Sequence, residues 1–272
     1  MTRIVVSEVM YLPAGESRRG AFDVDYAPGL VDDLAGLLAR VAGADALIVR
    51  NRTRVDREVL AAAPRLRAVG RLGVGLDNID VAACEAAGVA VYPATGANSL
   101  AVAEYVGATS MVLLRGAYLS SNEVAAGQWP RARMSQGRET AGKTLGLVGF
   151  GGIGRMTAKL AQGLGMRVLA YDPMLPPDAP AWSEAGVGRR ELDALFGEVD
   201  VLSLHVPLTE STRGLVDAAR LARMKPDAIL VNTARGGVVD ETALAAALRS
   251  GKLGGAAVDV FDDEPLRAGS PL

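Results

Sequence analysis

The chain has 272 residues, with 29 basic and 31 acidic side chains and a formal charge of −2, which leaves no field strong enough to hold nucleic acid or an anionic membrane. Half of its residues are hydrophobic but only 4% are aromatic, so Ala, Val, Leu and Gly must build the interior, as in helices packed on Val/Leu-rich parallel strands. A single cysteine, Cys84, excludes an internal disulfide and a cysteine metal cluster. With neither a signal-like N-terminus nor an apolar run of about 18 residues, a cytoplasmic protein with a small-molecule role and no metal is expected.

The length favours two domains with separate cores. Short apolar runs alternate with helical-period stretches from the start: strand 4–6, helix 30–41, strand 46–49, helix 56–62, strand 66–69, helix 78–87 and strand 89–92. Such alternation predicts βαβ crossovers and a parallel sheet. Asp56 and Asp77 stand where helix N-caps or first-turn acids belong, and Gly88 where a helix stops. A long helical stretch from Asn98 to about Gly127 reads as the crossing between domains, followed by a polar surface segment over 128–143. A second series then begins: strand 144–148, helix 153–164, strand 167–171, helix 190–196, strands 201–204 and 228–231, helix 241–248 and strand 255–260. The expectation is α/β with two parallel-sheet domains, at 1–97 and 98–272.

The strongest motif is Gly149-Phe150-Gly151-Gly152-Ile153-Gly154, a G-x-G-x-x-G directly after one strand and before a helix. In that setting Gly149 makes the tight turn, Gly151 lets the backbone approach a pyrophosphate, and Gly154 allows helix and strand to pack closely. The amides of the helix N-terminus then face the phosphates. Asp172 closes the next strand at the distance where an acid takes the ribose hydroxyls, and its carboxylate would repel a 2′-phosphate. NAD is therefore expected over NADP.

Further segments carry a family likeness: GRLGVGLDNID (70–80), TGANS (95–99), Ala103-Glu104, LHVPLT (204–209), NTARGG (232–237) and DVFDDEP (259–265). With the cofactor loop, these seven pieces resemble, in order, the D-isomer-specific 2-hydroxyacid dehydrogenases, the group that includes D-3-phosphoglycerate dehydrogenase. The resemblance implies a flavodoxin-like substrate domain and a Rossmann NAD-binding domain. It implies that Arg235 binds the substrate carboxylate and keto oxygen through paired guanidinium hydrogen bonds, and that Glu264 pairs with a catalytic histidine. It places Gly73, Val74 and Asn98 at the substrate. Gly152, Ile153, Asp172, Val206, Thr233, Ala234 and Asp259 would line the NAD site.

That catalytic histidine is expected after Glu264, yet the only histidine is His205, in the cofactor-side segment, where a structural place or the edge of the nucleotide site is expected. The sequence therefore reads as a chain that stops before the closing elements, binding NAD but transferring hydride poorly. Arg50 and Arg52, after the second predicted strand, are either a solvated pair or, as the resemblance implies for this position, cations for a second anionic group; with the latter, 3-phosphoglycerate and sulfolactate both fit. A non-catalytic NAD(H) sensor of corepressor type uses the same fold, and an exposed apolar groove in the first domain would mark it. A homodimer is implied by the resemblance, with the helix from Asn98 and the segment through Trp129 as its contact; Trp129 could equally anchor a loop.

Overall fold

The computed structural model describes residues 1–10 and 21–272. They divide into two compact units, Met1–Asn98 and Ser99–Leu272. The first is a five-stranded sheet, β1 (Thr2–Val6), β2 (Phe22–Tyr26), β3 (Ala46–Val49), β4 (Ala68–Arg71) and β5 (Ala90–Pro93), in the order β2-β1-β3-β4-β5. Every pairing is parallel, the flavodoxin-like order. Three helices, α1 (Leu34–Val41), α2 (Arg57–Ala62) and α3 (Val81–Ala86), supply the crossovers. Val5, Leu47, Val49 and Val69 are fully buried between sheet and helices.

Two local expectations need correction. The cap of α3 is Asp80, whose carboxylate accepts from Ala83 N at 2.9 Å, rather than Asp77. The chain at 77–79 is still committed to a bridge between Val55 and Ile79, which delays the helix by one turn. Strand β2 is absent from the expected order because its alternating Phe-Asp-Val-Asp-Tyr lies at a sheet edge with no buried position. Arg50 thus follows the third strand, β3, not the second.

In the second unit, α4 (Ser99–Arg115) leads through short helices α5 (Ser121–Ala125) and α6 (Arg131–Met134) to a six-stranded sheet. The long helix ends earlier than periodicity implies because Gly116 takes φ +70° and breaks the ladder. The strands are β6 (Thr144–Val148), β7 (Arg167–Tyr171), β8 (Gly188–Arg189), β9 (Val201–Leu204), β10 (Ala228–Asn232) and β11 (Leu253–Val258). Helices α7 (Gly152–Gly163), α8 (Pro180–Glu184), α9 (Leu192–Glu198), α10 (Ala218–Arg223) and α11 (Glu241–Arg249) connect them. The order is β11-β10-β9-β6-β7-β8, all parallel, which is the Rossmann arrangement. Strands β6, β9 and β10 are buried at every position, with one apolar cluster on each face of the sheet. No described helix is long and apolar enough to cross a membrane.

Each sheet has one point where the strand order reverses, β1/β3 in the first and β6/β9 in the second. In open parallel sheets the crevice outside the carboxyl ends at that point is the usual place for a ligand. The chain leaving β1 and β3 is Ser7-Glu8 and 50–54; the chain leaving β6 and β9 is 149–154 and 205–206.

Candidate active site

At the second reversal point the glycines have distinct steric duties. Gly149 has φ +97°, and a Cβ there would stand 2.4 Å from His205 O and 3.2 Å from a Val206 methyl. Gly154 packs under the turn, since a Cβ on it would meet Gly149 O at 2.4 Å. Gly151 and Gly152 face open space. The twelve-residue α7 starts there without a side-chain cap and without an acid in its first turn, leaving its leading amides and positive dipole end toward that space. Phe150, fully buried and stacked on Trp182 at 4.9 Å, anchors the turn beneath.

Asp172 accepts from Phe150 N at 2.8 Å through one oxygen and from Met174 N at 2.9 Å through the other. Each oxygen keeps a second lone pair, so the carboxylate is held in place with acceptor capacity left for a diol. Thr233 Oγ1, by contrast, is buried without a hydrogen-bond partner, and Ala234 beside it is 7% exposed. Open space over uncapped amides, a fixed acid and an unsatisfied hydroxyl are features a dinucleotide would complete.

The ends of β10 and β11 are laced together. Asn232 Oδ1 accepts from Ala234 N and its Nδ2 donates to Arg235 O, each at 3.1 Å, while Asn232 O accepts from Asp259 N at 3.0 Å. Gly236 lies so close to Phe261 O that a Cβ would stand 1.9 Å away, and Asp262 accepts from Gly237 N. Arg235 is thereby fixed near the β11 loop, its Nη1 donating to Ala234 O at 2.6 Å. Glu264 accepts from Phe261 N at 3.1 Å. Desolvation, then the Glu264 charge, raises the Asp259 pKa, and burial, then Asp259, raises that of Tyr105 on α4. Tyr105 joins this group without a sequence signal, since an aromatic on a helix reads as core.

In the first unit, Arg50 and Arg52 are exposed. Arg50 Nη1 donates to Val9 O at 3.2 Å, and Arg52 pairs with Asp32. Leu72 N donates to Val49 O at 2.9 Å, which brings the 71–74 turn to the same sheet edge as Arg50. Gly73 has φ +143°, and the Arg71 guanidinium crosses the face where a side chain would be, 1.5 Å from the point a Cβ would occupy. Val74 is 42% exposed and Arg71 9%. Sequence reasoning gives Arg71 no role, though an arginine ending an apolar strand is itself a signal. Asn98 is exposed and ends this unit, far along the chain from the Arg50 loop.

Comparison with known proteins agrees with this geometry. Residues 6–128 match the D-isomer specific 2-hydroxyacid dehydrogenase catalytic domain, and residues 108–272 match the NAD binding domain of the same family. The chain is 56% identical over 272 residues to an (S)-sulfolactate dehydrogenase of Chromohalobacter salexigens, covering all of this chain and 87% of that protein. It is 38% identical over 266 residues to a D-3-phosphoglycerate dehydrogenase of Methanocaldococcus jannaschii, covering 97% of this chain but 50% of that one; it thus spans about half the length of such relatives. The crystal structure of the TT0316 protein of Thermus thermophilus superposes with a TM-score of 0.88 at 36% identity, over 99% of this chain and 85% of that one. Sheet orders, glycine turn and both family matches agree: the chain belongs to the D-isomer-specific 2-hydroxyacid dehydrogenases, a family of NAD-dependent oxidoreductases.

Proposed function

We propose that this chain takes a small D-2-hydroxy acid or 2-keto acid carrying a second anionic group, with sulfolactate as the favoured member. The observation that carries this reading is the arginine-bearing loop after β3, with Arg50, Arg52 and Arg54 all exposed at the reversal point of the first sheet. The 56% identity to a sulfolactate dehydrogenase favours a sulfonate over a phosphate. Among the described residues, the arginines exposed at that edge favour the enzyme over the sensor alternative.

NAD, when bound, supplies the hydride or accepts it. The chain's own residues would orient the partners. Gly149, Gly151, Gly152, Ile153 and Gly154 with the α7 amides would hold the pyrophosphate, Asp172 the ribose, and Val206, Thr233, Ala234 and Asp259 the remainder. Arg235 would receive a carboxylate and keto oxygen as a planar two-hydrogen-bond donor; for the first unit, Gly73, Val74 and Asn98 are proposed as substrate contacts. Glu264 would raise the basicity of a histidine acid/base. The one histidine of these 272 residues, His205, has its pKa lowered by burial to about 4, which does not suit it to that acid/base role.

A titration of the NADH-saturated protein with (S)-sulfolactate, 3-phosphoglycerate and D-lactate, reduced pairings between which no hydride can pass, tests the binding, and the same acids with NAD+ in place of NADH, followed by the appearance of NADH absorbance, test turnover. Sulfolactate should bind at least about tenfold tighter than D-lactate, a difference of about 1.4 kcal/mol; equal affinity would remove the second-anion reading. We also propose a cytoplasmic homodimer. The buried free Cys84 suits a reducing compartment, and Tyr118, Leu119, Val124 and Trp129 leave an apolar surface beside α5 and α6.

A further inference from the structure

The loop that carries Arg50 and Arg52 is held from below by a side chain with no role in the function proposed so far. Glu8, 5% exposed, leaves the end of β1. Its Oε1 accepts from Arg50 N at 2.8 Å and Thr53 N at 2.9 Å, and both oxygens lie 3.3 Å from Arg52 N. Asn78 holds the two ends of the same segment by their carbonyls, donating to Arg50 O at 3.3 Å and Thr53 O at 2.6 Å. Ser7 Oγ meets Thr53 Oγ1 at 3.0 Å.

We propose that Glu8 is the positioning residue for recognition of the second anionic group: it gathers the amides of Arg50, Arg52 and Thr53 inward and so fixes the backbone from which Arg50 and Arg52 project. The inference rests on the reading of that loop as an anion site. Three physical points support it. Amides turned onto a carboxylate are spent, so an anion must be read by the guanidinium groups, whose long side chains bind well only from a fixed root. Three arginines in five residues repel one another, and a carboxylate beneath them offsets that repulsion. The site also lies at the switch point of the sheet, where a ligand-facing loop must be rigid. Burial alone would push the Glu8 pKa up, but the amides of Thr53, Arg50 and Arg52 outweigh it and hold the carboxyl below its ordinary value; the group is a carboxylate at neutral pH.

The alternative is that Glu8 merely closes a loop, and discrimination separates the two. With NADH present, Kd values for (S)-sulfolactate and D-lactate, which differ in the sulfonate, are measured by calorimetry for the wild type, Glu8→Gln and Arg50→Ala/Arg52→Ala. Gln keeps one acceptor oxygen, enough for the Arg50 and Thr53 amides, but loses the charge and turns an N–H donor toward the Arg52 amide. The arginine pair variant should abolish the preference for sulfolactate, and Glu8→Gln should reduce it about tenfold, the scale of a misplaced charged contact. If the arginine variant loses the preference while Glu8→Gln keeps it, the positioning role is wrong and the anion reading stands. If the arginine variant keeps it, both fall. Native-state hydrogen exchange on the wild type needs no variant: the Arg50, Arg52 and Thr53 amides should exchange slowly and together, and fast exchange at all three would equally overturn the proposal.

Discussion

At the scale of single residues, His205 shows how burial decides a role. Desolvation lowers its pKa from 6.5 to about 4, and Ser203 Oγ lies 3.0 Å from Nε2. An acid/base for hydride chemistry has to change protonation near neutral pH, and this ring stays neutral there. The same shift has a thermodynamic sign. The unfolded chain takes up a proton below pH 6.5, whereas the folded chain does so only near pH 4. Between those values the unfolded state binds the extra proton, so stability that is complete above pH 6.5 is lost as the pH falls toward 4. The loss from this one group amounts to roughly 3 kcal/mol across the window. Urea unfolding at several pH values should therefore show a shallower acid-side decline in His205→Gln than in the wild type. Parallel slopes would mean that His205 titrates normally.

At the scale of elements, the docking of α7 on the β6 turn is the contact on which cofactor binding depends. A methyl at Gly154 would stand 2.4 Å from Gly149 O, inside any tolerable contact, and the obstacle is backbone that cannot rotate away. Gly154→Ala should push the helix outward, costing about 1–3 kcal/mol of stability as overpacked sites do and weakening NADH binding about tenfold or more as the amides move off the phosphates. Fluorescence titration with NADH checks this, and unchanged affinity would show that the turn can relax. That contact is legible in the sequence because the motif, its flanking strand and Asp172 are local along the chain. Strands such as Val201–Leu204 are legible for a related reason, since a strand buried on both faces is an unbroken apolar run. Strand β2, at an edge and interrupted by aspartates, has no such signature, and α10 spans only six residues, too few for a periodicity. The brace on 50–53 is hidden for a third reason: Glu8 and Arg50 are 42 residues apart, and only the tertiary fold of β1 beside β3 joins them.

At the scale of the whole molecule, the second unit carries an apolar surface that the folded chain does not cover. Trp129 is 77% exposed, Tyr118 74% and Leu119 60%, and the groove beside them is lined by Val124, Pro130 and Met134 with Arg115 and Arg131 at hand. Large aromatics with arginines among them are the composition of an interface core, and such surface left in water favours association. A second copy of the chain is the simplest occupant, because a two-fold contact sets the same patch against itself. A stable contact of this kind buries roughly 800 Å² per partner, and a charge at its centre should dissolve it. Sedimentation velocity should find a dimer for the wild type and a monomer for Trp129→Glu, with NADH binding retained because Trp129 lies outside the glycine turn and the β10 and β11 loops. A wild-type monomer at micromolar concentration would instead remove the second copy as the occupant of this surface.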